Sequence, residues 1–254
     1  MKIYFLGTGT SQGIPVIGID HPVCKSENCK DKRLRTSVWI EHNDTSLVID
    51  CGPDFRQQML TSGCNKIDGV LFTHEHADHT AGLDDLRPIT FIQGNVDLFG
   101  DVRVVKSLKK RFDYAFKTKN RYPGTPQVTL HKISSRSKFN IKNTEITPIK
   151  VMHGNLPILG YRIENFAYLT DAKTIDDKSC KKLQNLDVLV INALRIQEHF
   201  THFNLEEALN FIQKINPKKT YLTHISYNLG FHNEVEKNLP ENVFLAYDNL
   251  TLTL

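Results

Sequence analysis

Six consecutive residues, His74-Glu75-His76-Ala77-Asp78-His79, bring four strong metal ligands together directly after the apolar run Val70-Leu71-Phe72. On an extended segment leaving a strand, side chains two apart project to the same side, so His74 and His76 can grip one ion. Asp78 and His79 then suit a second. Imidazole and carboxylate without thiolate favour Zn²⁺, Mn²⁺ or Fe²⁺ and leave coordination positions for water instead of closing a structural tetrahedron. The bland alternative is a polar turn with chance histidines, and the density of ligands behind an apolar run argues against it.

One hexapeptide cannot fill two coordination spheres, so other segments must supply ligands. Three further runs of β-branched or aromatic character end in a ligand type: Ile146 to Met152 before His153, Phe166 to Thr170 before Asp171, and Lys219 to Thr223 before His224. Any one alone reads as a satisfied structural residue. Together they are the pattern expected when several strands deliver side chains to one edge of a sheet. The count matches a site for two ions.

At these residues the chain resembles the metallo-β-lactamase superfamily, whose His-x-His-x-Asp-His motif is matched letter for letter at His74 to His79. The likeness extends to Gly7-Thr8-Gly9 after an opening strand, to Asp50 within Ile49-Asp50-Cys51-Gly52, and to the three later ligands in order. It implies an α/β chain folded as a four-layer αββα sandwich. It also implies that His74, His76 and His153 hold one divalent ion, zinc or manganese, that Asp78, His79 and His224 hold the other, and that Asp171 bridges them. Asp50 would then orient a histidine ligand by accepting its other N–H.

Within the superfamily the chain looks most like the phosphoribosyl cyclic phosphate phosphodiesterases and their relatives in phosphonate breakdown. The segments Leu6 to Pro15, Asp31 to Ser37, Gly82 to Pro88, His202-Phe203-Asn204-Leu205 and Thr223-His224-Ile225-Ser226 carry that narrower likeness. Relatives of this type often hold a structural zinc through three cysteines after the first loop and a late histidine. Here those positions read Ile19, His21, Cys24 and Tyr227, so that zinc is expected to be absent unless Cys29 moves in beside His21 and Cys24.

The alternation of runs predicts strands at 2–6, 37–41, 46–50, 69–73, 127–131, 146–151, 158–163, 166–170, 187–192, 219–223 and 243–247. Helices are expected near 54–62, 80–92, 103–116, 173–184, 205–214 and 231–238, all within one domain, 1–254, with a helical lobe around 84–124. Asn204 is the expected N-cap of the helix from Leu205, with Glu206 and Glu207 complementing its positive end. Between Arg103 and Arg121 the cations Lys106, Lys109, Lys110, Arg111, Lys117 and Lys119 could dock nucleic acid. Val102, Val105, Leu108, Phe112 and Phe116 recur at helical spacing, which favours a solvated cationic face instead. Tyr122-Pro123-Gly124 would end that helix, and its Arg111 and Tyr114 are candidates to touch substrate.

With 254 residues, 40% apolar and 24% charged, the chain can bury a substantial core. The opening apolar run breaks at Gly7, unlike a signal peptide, and no uninterrupted apolar run approaches membrane-spanning length, so a cytoplasmic enzyme is expected. Five cysteines in no framework spacing fit reduced thiols. A net charge of +4 is mild. The expected partner is a small phosphodiester, with nucleic acid disfavoured; the resemblance to dimeric relatives adds a homodimer.

The expected reaction is hydrolysis of a small, cyclic phosphodiester. Two ions about 3.5–4 Å apart bridge a water and lower its pKa, and the resulting hydroxide attacks phosphorus in line. An alkoxide is a poor leaving group, so a positioned acid is needed, and His202 is assigned that role from its His-x-Asn-Leu context. Asp78 is counted with it as catalytic while also serving as a ligand. His199 is read as bracing the loop, Arg35 and Arg56 as candidates to meet a phosphate, and Asp84, Asp85 and Arg87 as loop-bracing charges. No role is assigned to His42, His131 or His232. The competing readings are a ribonuclease or oligonucleotide phosphodiesterase, a thioesterase or lactonase of the same fold, and a metal-binding protein without activity, which would have lost a ligand.

Overall fold

A computed structural model describes residues 1–117, 119 and 122–254. In chain order the strands are β1 (Lys2–Gly7), β2 (Ser37–His42), β3 (Thr45–Ile49), β4 (Gly69–Leu71), β5 (Val96–Gly100), β6 (Val128–Lys132), β7 (Phe139–Ile141), β8 (Thr144–His153), β9 (Leu156–Ile163), β10 (Phe166–Leu169), β11 (Val188–Asn192), β12 (Lys219–Thr223), β13 (Val243–Leu245) and β14 (Thr251–Thr253). The helices are α1 (Pro22–Lys25), α2 (Phe55–Ser62), α3 (Ala77–Thr80), α4 (Arg87–Gln93), α5 (Val102–Arg111), α6 (Asp113–Phe116), α7 (Asp177–Cys180), α8 (Leu205–Ile215) and α9 (His232–Glu236).

Among the described residues the strands form two seven-stranded sheets, ordered β14-β1-β2-β3-β4-β5-β6 and β13-β12-β11-β10-β9-β8-β7. Each is antiparallel in one half and parallel in the other: β3 to β6 run parallel in the first, β10 to β13 in the second. Parallel strands buried on both faces read as near-continuous apolar runs, and β3 (Thr-Ser-Leu-Val-Ile) and β11 (Val-Leu-Val-Ile-Asn) are buried throughout.

Side-chain alternation sorts those residues into layers. Leu47, Ile49, Leu71, Tyr168, Val188 and Val190 face inward and form the core between the sheets. Their neighbours Val48, Val70 and Phe72 pack outward on Phe55 and Met59 of α2, Ile89 of α4 and Val104 and Leu108 of α5. On the other side Ala167, Leu169, Leu189 and Ile191 meet Ala208, Phe211, Ile212 and Ile215 of α8. The result is the αββα sandwich. At about 25 cal/mol per Å² of apolar surface removed from water, these three clusters supply the main drive for folding.

Sequence signals explain several boundaries. Asn204 caps α8 as expected: its Oδ1 accepts the Glu207 N–H at 2.8 Å, and Glu207 Oε2 accepts the Asn204 N–H at 2.9 Å. Gly63, in the left-handed conformation at φ 70°, ends α2. Asp101 caps α5 through the N–H groups of Arg103 and Val104.

Other boundaries differ. The interval 84–124, expected as a helical lobe, holds α4, α5 and α6 but also β5, a strand inside the first sheet between β4 and β6. Val96-Asp97-Leu98-Phe99-Gly100 is too short and too interrupted by Asp97 to stand out as a run, yet Leu98 and Phe99 are buried. The expected helix at 80–92 divides into α3, a 3₁₀ stretch Ala81–Leu86 and α4, the last restarting where Pro88 is tolerated in a first turn. Of the expected Val102, Val105 and Leu108, only Leu108 is fully buried; Val104 joins it, Val105 is partly buried and Val102 is half exposed. The chain leaves the helical conformation at Phe112 and α6 ends at Phe116, ahead of Tyr122. Lys106, Lys109, Lys110 and Arg111 do lie on the exposed side, while Arg121 falls outside the described residues. The edge strands β7 and β14, three residues each, carried no usable period.

Candidate metal centre

Three of the site's carboxylate and imidazole residues sit just past strand ends in the left-handed backbone region: Asp50 at φ 63°, Asp171 at φ 55° and His224 at φ 55°. Each leaves its strand through a sharp turn that only glycine, asparagine, aspartate and histidine adopt with any frequency. Gly52 keeps the first of these turns close to the motif, since a Cβ there would lie 2.0 Å from the Asp78 carbonyl oxygen. Strand ends from both sheets therefore deliver their last side chains to one edge of the sandwich, the usual place for a site in parallel sheets.

All seven residues expected as ligands converge there. Among the described residues, His74, His76 and His153 bring ligand atoms within 4.8 Å of one another, as do Asp78, His79, Asp171 and His224; a third group, His153, Asp171 and His202, overlaps both. Asp171 reaches across the first two. Its Oδ2 lies 3.4 Å from His74 Nε2 and 3.1 Å from His79 Nε2, and its Oδ1 lies 2.9 Å from His224 Nε2.

Hydrogen bonds on the outer ring nitrogens decide what the inner ones offer. His79 Nδ1–H donates to Asp50 Oδ2 at 2.7 Å, the contact expected of Asp50. Asp50 also accepts the Thr73 N–H and hydroxyl, both at 2.8 Å. With its proton directed to Asp50, Thr73 Oγ1 is free to accept from His74 Nδ1–H at 3.0 Å. His153 Nδ1–H donates to the Thr201 carbonyl at 2.9 Å. In its neutral form each of these three imidazoles consequently turns an Nε2 lone pair toward the cluster.

His74 Nε2 lies 3.0 Å from His76 Nδ1, but other ring nitrogens of the cluster lack conventional partners. His79 Nε2 and both ring nitrogens of His224 are buried without a hydrogen bond, although carboxylate oxygens stand near them but out of line. Buried polar atoms are rarely left so, and a divalent cation beside Asp171 would take up the Nε2 lone pairs of both His79 and His224. The donor set of imidazole and carboxylate fits zinc or manganese.

The charges respond to the same crowding. Burial alone would raise the carboxyls of Asp171 and Asp78, but neighbouring histidines overcome it: His224 and His79 hold Asp171 well below the usual carboxylate range, and His79 and His224 do the same for Asp78. Burial would likewise lower His79 and His224, yet the surrounding carboxylates push His79 well up and His224 to about 9. His74, buried against His79 and His76, is driven well down. The cluster without metal is thus a knot of carboxylates and imidazoliums that a cation would displace.

His202 lies at the same edge. Its ring stacks on His224 with centroids 4.9 Å apart, meets His153 edge-on at 4.6 Å, and its Nε2 stands 4.0 Å from Asp171 Oδ1.

Several expected substrate contacts are engaged elsewhere. Arg111 Nη2 donates to the Glu75 carbonyl at 3.2 Å and the Thr80 hydroxyl at 2.5 Å, tying α5 to the metal motif. Tyr114 donates to Asp84 at 2.7 Å, and Arg87 pairs with the same carboxylate, which makes these loop braces. Arg35 is held by Asp54 at 3.1 Å and by the Ser11 carbonyl. His21 accepts the Val23 N–H and packs on Tyr227, and Cys24 lies in an apolar cluster with Ile14, Val16 and Val23. Sequence reasoning missed Thr73, Thr201 and the buried trio Thr36, Tyr168 and Thr223, whose hydroxyls join β10 and β12 to the first loop at 2.9 and 3.0 Å. Only Thr73, adjoining the motif, carried a positional signal.

Comparison with known proteins places this geometry. Residues 45–225 match the β-lactamase superfamily domain. The chain is 40% identical over 252 residues to an octanoyltransferase of Porphyromonas gingivalis, covering 98% of this chain and 51% of that protein. It is 27% identical over 169 residues to a ribonuclease Z of Methanococcus maripaludis, covering 63% of this chain and 48% of that one. The chain thus spans about half the length of each of these two curated relatives. Among solved structures, a diphosphatase from the PhnP family superposes with a TM-score of 0.92 at 39% identity, covering 99% of this chain and 96% of that one. No described helix is long and apolar enough to cross a membrane. The chain belongs to the β-lactamase superfamily and carries the metallo-β-lactamase fold.

Proposed function

We propose that the protein is a metal-dependent hydrolase of small phosphodiesters, cyclic ones above all, working with two divalent cations. The observation that carries the reading is Asp171, whose two oxygens reach both ligand groups, with His202 standing beside it. The likeness to a PhnP-family diphosphatase and to ribonuclease Z supports attack on a phosphoryl centre.

His74, His76 and His153 would hold one cation, Asp78, His79 and His224 the other, with Asp171 shared. Bound there, the cations would neutralise phosphoryl oxygens and make water acidic enough to ionise near neutral pH. The chain's own residues do the rest. Asp50, Thr73 and the Thr201 carbonyl fix the His79, His74 and His153 imidazoles so that these three need not reorient on binding. His202 is the proton carrier for the leaving alkoxide. Burial and the neighbouring His224, His153 and His199 lower it to about 3, with Asp171 opposing. An anionic phosphodiester beside it adds negative charge and raises it, so that protonation of His202 accompanies substrate binding.

Acyl transfer, the activity in the name of the Porphyromonas gingivalis protein, has less support. Cys51, the cysteine next to Asp50, is fully buried, and burial pushes its thiol well up, which suits an apolar filler and not a nucleophile.

Phosphorus NMR of the metal-loaded protein with a five-membered cyclic ribose phosphate, beside an aryl phosphodiester, tests the proposal. Opening of the cyclic substrate is the expected result. Turnover of the aryl diester alone would retain phosphodiester hydrolysis and remove the cyclic substrate, and turnover of neither would overturn the reading.

A further inference from the structure

The loop Arg195 to Phe203 carries a second histidine whose hydrogen bonds constrain the first. His199 Nδ1 lies 3.3 Å from the Thr201 backbone nitrogen, in line for that N–H, and 3.0 Å from His202 Nδ1. Thr201 Oγ1 sits between the two rings, 3.2 Å from His199 Nδ1 and 2.9 Å from His202 Nδ1.

A backbone N–H can only donate, so His199 Nδ1 must be an acceptor, and the neutral His199 carries its proton on Nε2. Two ring lone pairs cannot face each other at 3.0 Å without a proton between them. His202 Nδ1 therefore bears the hydrogen and donates it toward His199 and Thr201. In neutral His202 the other nitrogen, Nε2, is then a lone pair directed to the Asp171 side of the site.

We propose that His199 is a positioning residue that fixes the His202 tautomer, so that His202 gains and releases its proton only at Nε2. Uptake at Nε2 of a proton from a solvent hydronium, which leaves as water, gives an imidazolium whose Nδ1–H already points at an acceptor. Release to the leaving alkoxide oxygen forms the O–H bond, breaks Nε2–H, and returns the neutral ring in the same tautomer without a flip. His199 neither touches substrate nor changes its own proton count. This inference rests on the proposed role of His202 and sharpens it.

The test uses His199→Ala and His199→Asn in the metal-loaded protein, because asparagine Oδ1 can stand near the position of Nδ1 and accept the same bonds. Turnover of an unactivated cyclic phosphodiester should fall roughly 10- to 100-fold in His199→Ala, as for other partners that orient a site histidine. KM and metal content should hold, turnover of an activated aryl diester should stay within about twofold, and His199→Asn should recover most of the loss. ¹⁵N NMR of labelled histidines, with His202 assigned from its absence in His202→Ala, should show Nδ1–H in the parent chain and a mixture of tautomers in His199→Ala. An Nε2–H tautomer in the parent, unchanged turnover in His199→Ala, or an asparagine variant as slow as the alanine one would overturn the proposal. Failure of the His202 role itself would show separately, as unchanged turnover in His202→Ala whatever the tautomer.

Discussion

Two buried polar clusters flank the Gly-Thr-Gly loop, and they differ in what is left over. In the metal cluster three imidazole nitrogens are buried without a hydrogen bond. In the other, Arg33, 3% exposed, donates to the Thr8 hydroxyl at 2.7 Å, the Ala246 carbonyl at 2.5 Å and His232 Nδ1 at 3.1 Å. Asp248 accepts from Thr8 and from the Leu34 N–H, and Asp31 accepts from Ser26 and the His232 N–H. Its one unmatched nitrogen, His232 Nε2, still lies 3.2 Å from Glu236. Both clusters contain histidine, aspartate and burial. The one whose valences close within the protein holds loops together, and the one whose valences stay open is built for something that arrives.

The contrast can be broken at several points. Removing the shared carboxylate with Asp171→Ala should cost the most: turnover down about a thousandfold or more, corresponding to several kcal/mol of lost charge stabilisation, with metal analysis showing fewer ions per chain. Full metal content and activity would end the bridging role. Arg33→Ala should act oppositely, on stability instead of chemistry. It leaves the buried Thr8 hydroxyl, the Ala246 carbonyl and His232 Nδ1 without their donor, and an unsatisfied buried polar group costs about 1–3 kcal/mol. Denaturant midpoints should fall while the folded fraction still binds metal normally.

A third outcome concerns pH in the metal-free protein. The folded His224 titrates near 9, above its unfolded value near 6.5, and His79 is raised too. Stability from these groups is fully present below pH 6.5 and is lost as pH rises toward 9. Asp171 and Asp78, depressed, and His74 and His202, lowered, contribute no change in that window. The melting temperature of chelated protein should drop from pH 6.5 to 9, and metal-loaded protein should lack that drop; a flat metal-free profile would contradict the assignment. The smallest effect belongs to Asn204→Ala, which removes the α8 cap for about 1 kcal/mol of stability, with the position of His202, two residues earlier, read out as a modest loss of turnover.

The sequence was legible where one residue type had one interpretation. His74 to His79, His153, Asp171 and His224 all carry ligand chemistry at run ends, and strands such as β10 and β11 are nearly unbroken apolar runs, so layers and site could be read together. It was opaque where identity follows from placement. Arg33 and His232 resemble surface residues until the fold buries them side by side, and β5 is recognisable only from its neighbours. Arg111 and Arg35 are candidates for substrate contact from sequence because nothing in the chain announces that Thr80, Glu75 and Asp54 will engage them.

The left-handed turns at Asp50, Asp171 and His224 restrict what evolution or an engineer can place there. Few side chains tolerate that backbone, and the short list of asparagine, aspartate, histidine and glycine happens to span hard oxygen donors, borderline nitrogen donors and no donor at all. Exchanges among them, such as His224→Asn or Asp171→His, alter the affinity and selectivity for metal while keeping the chain path intact. A β-branched replacement would disturb the path itself. The scaffold is in that sense rigid in shape and permissive in chemistry, a combination through which related chains can diverge in reaction without first having to refold.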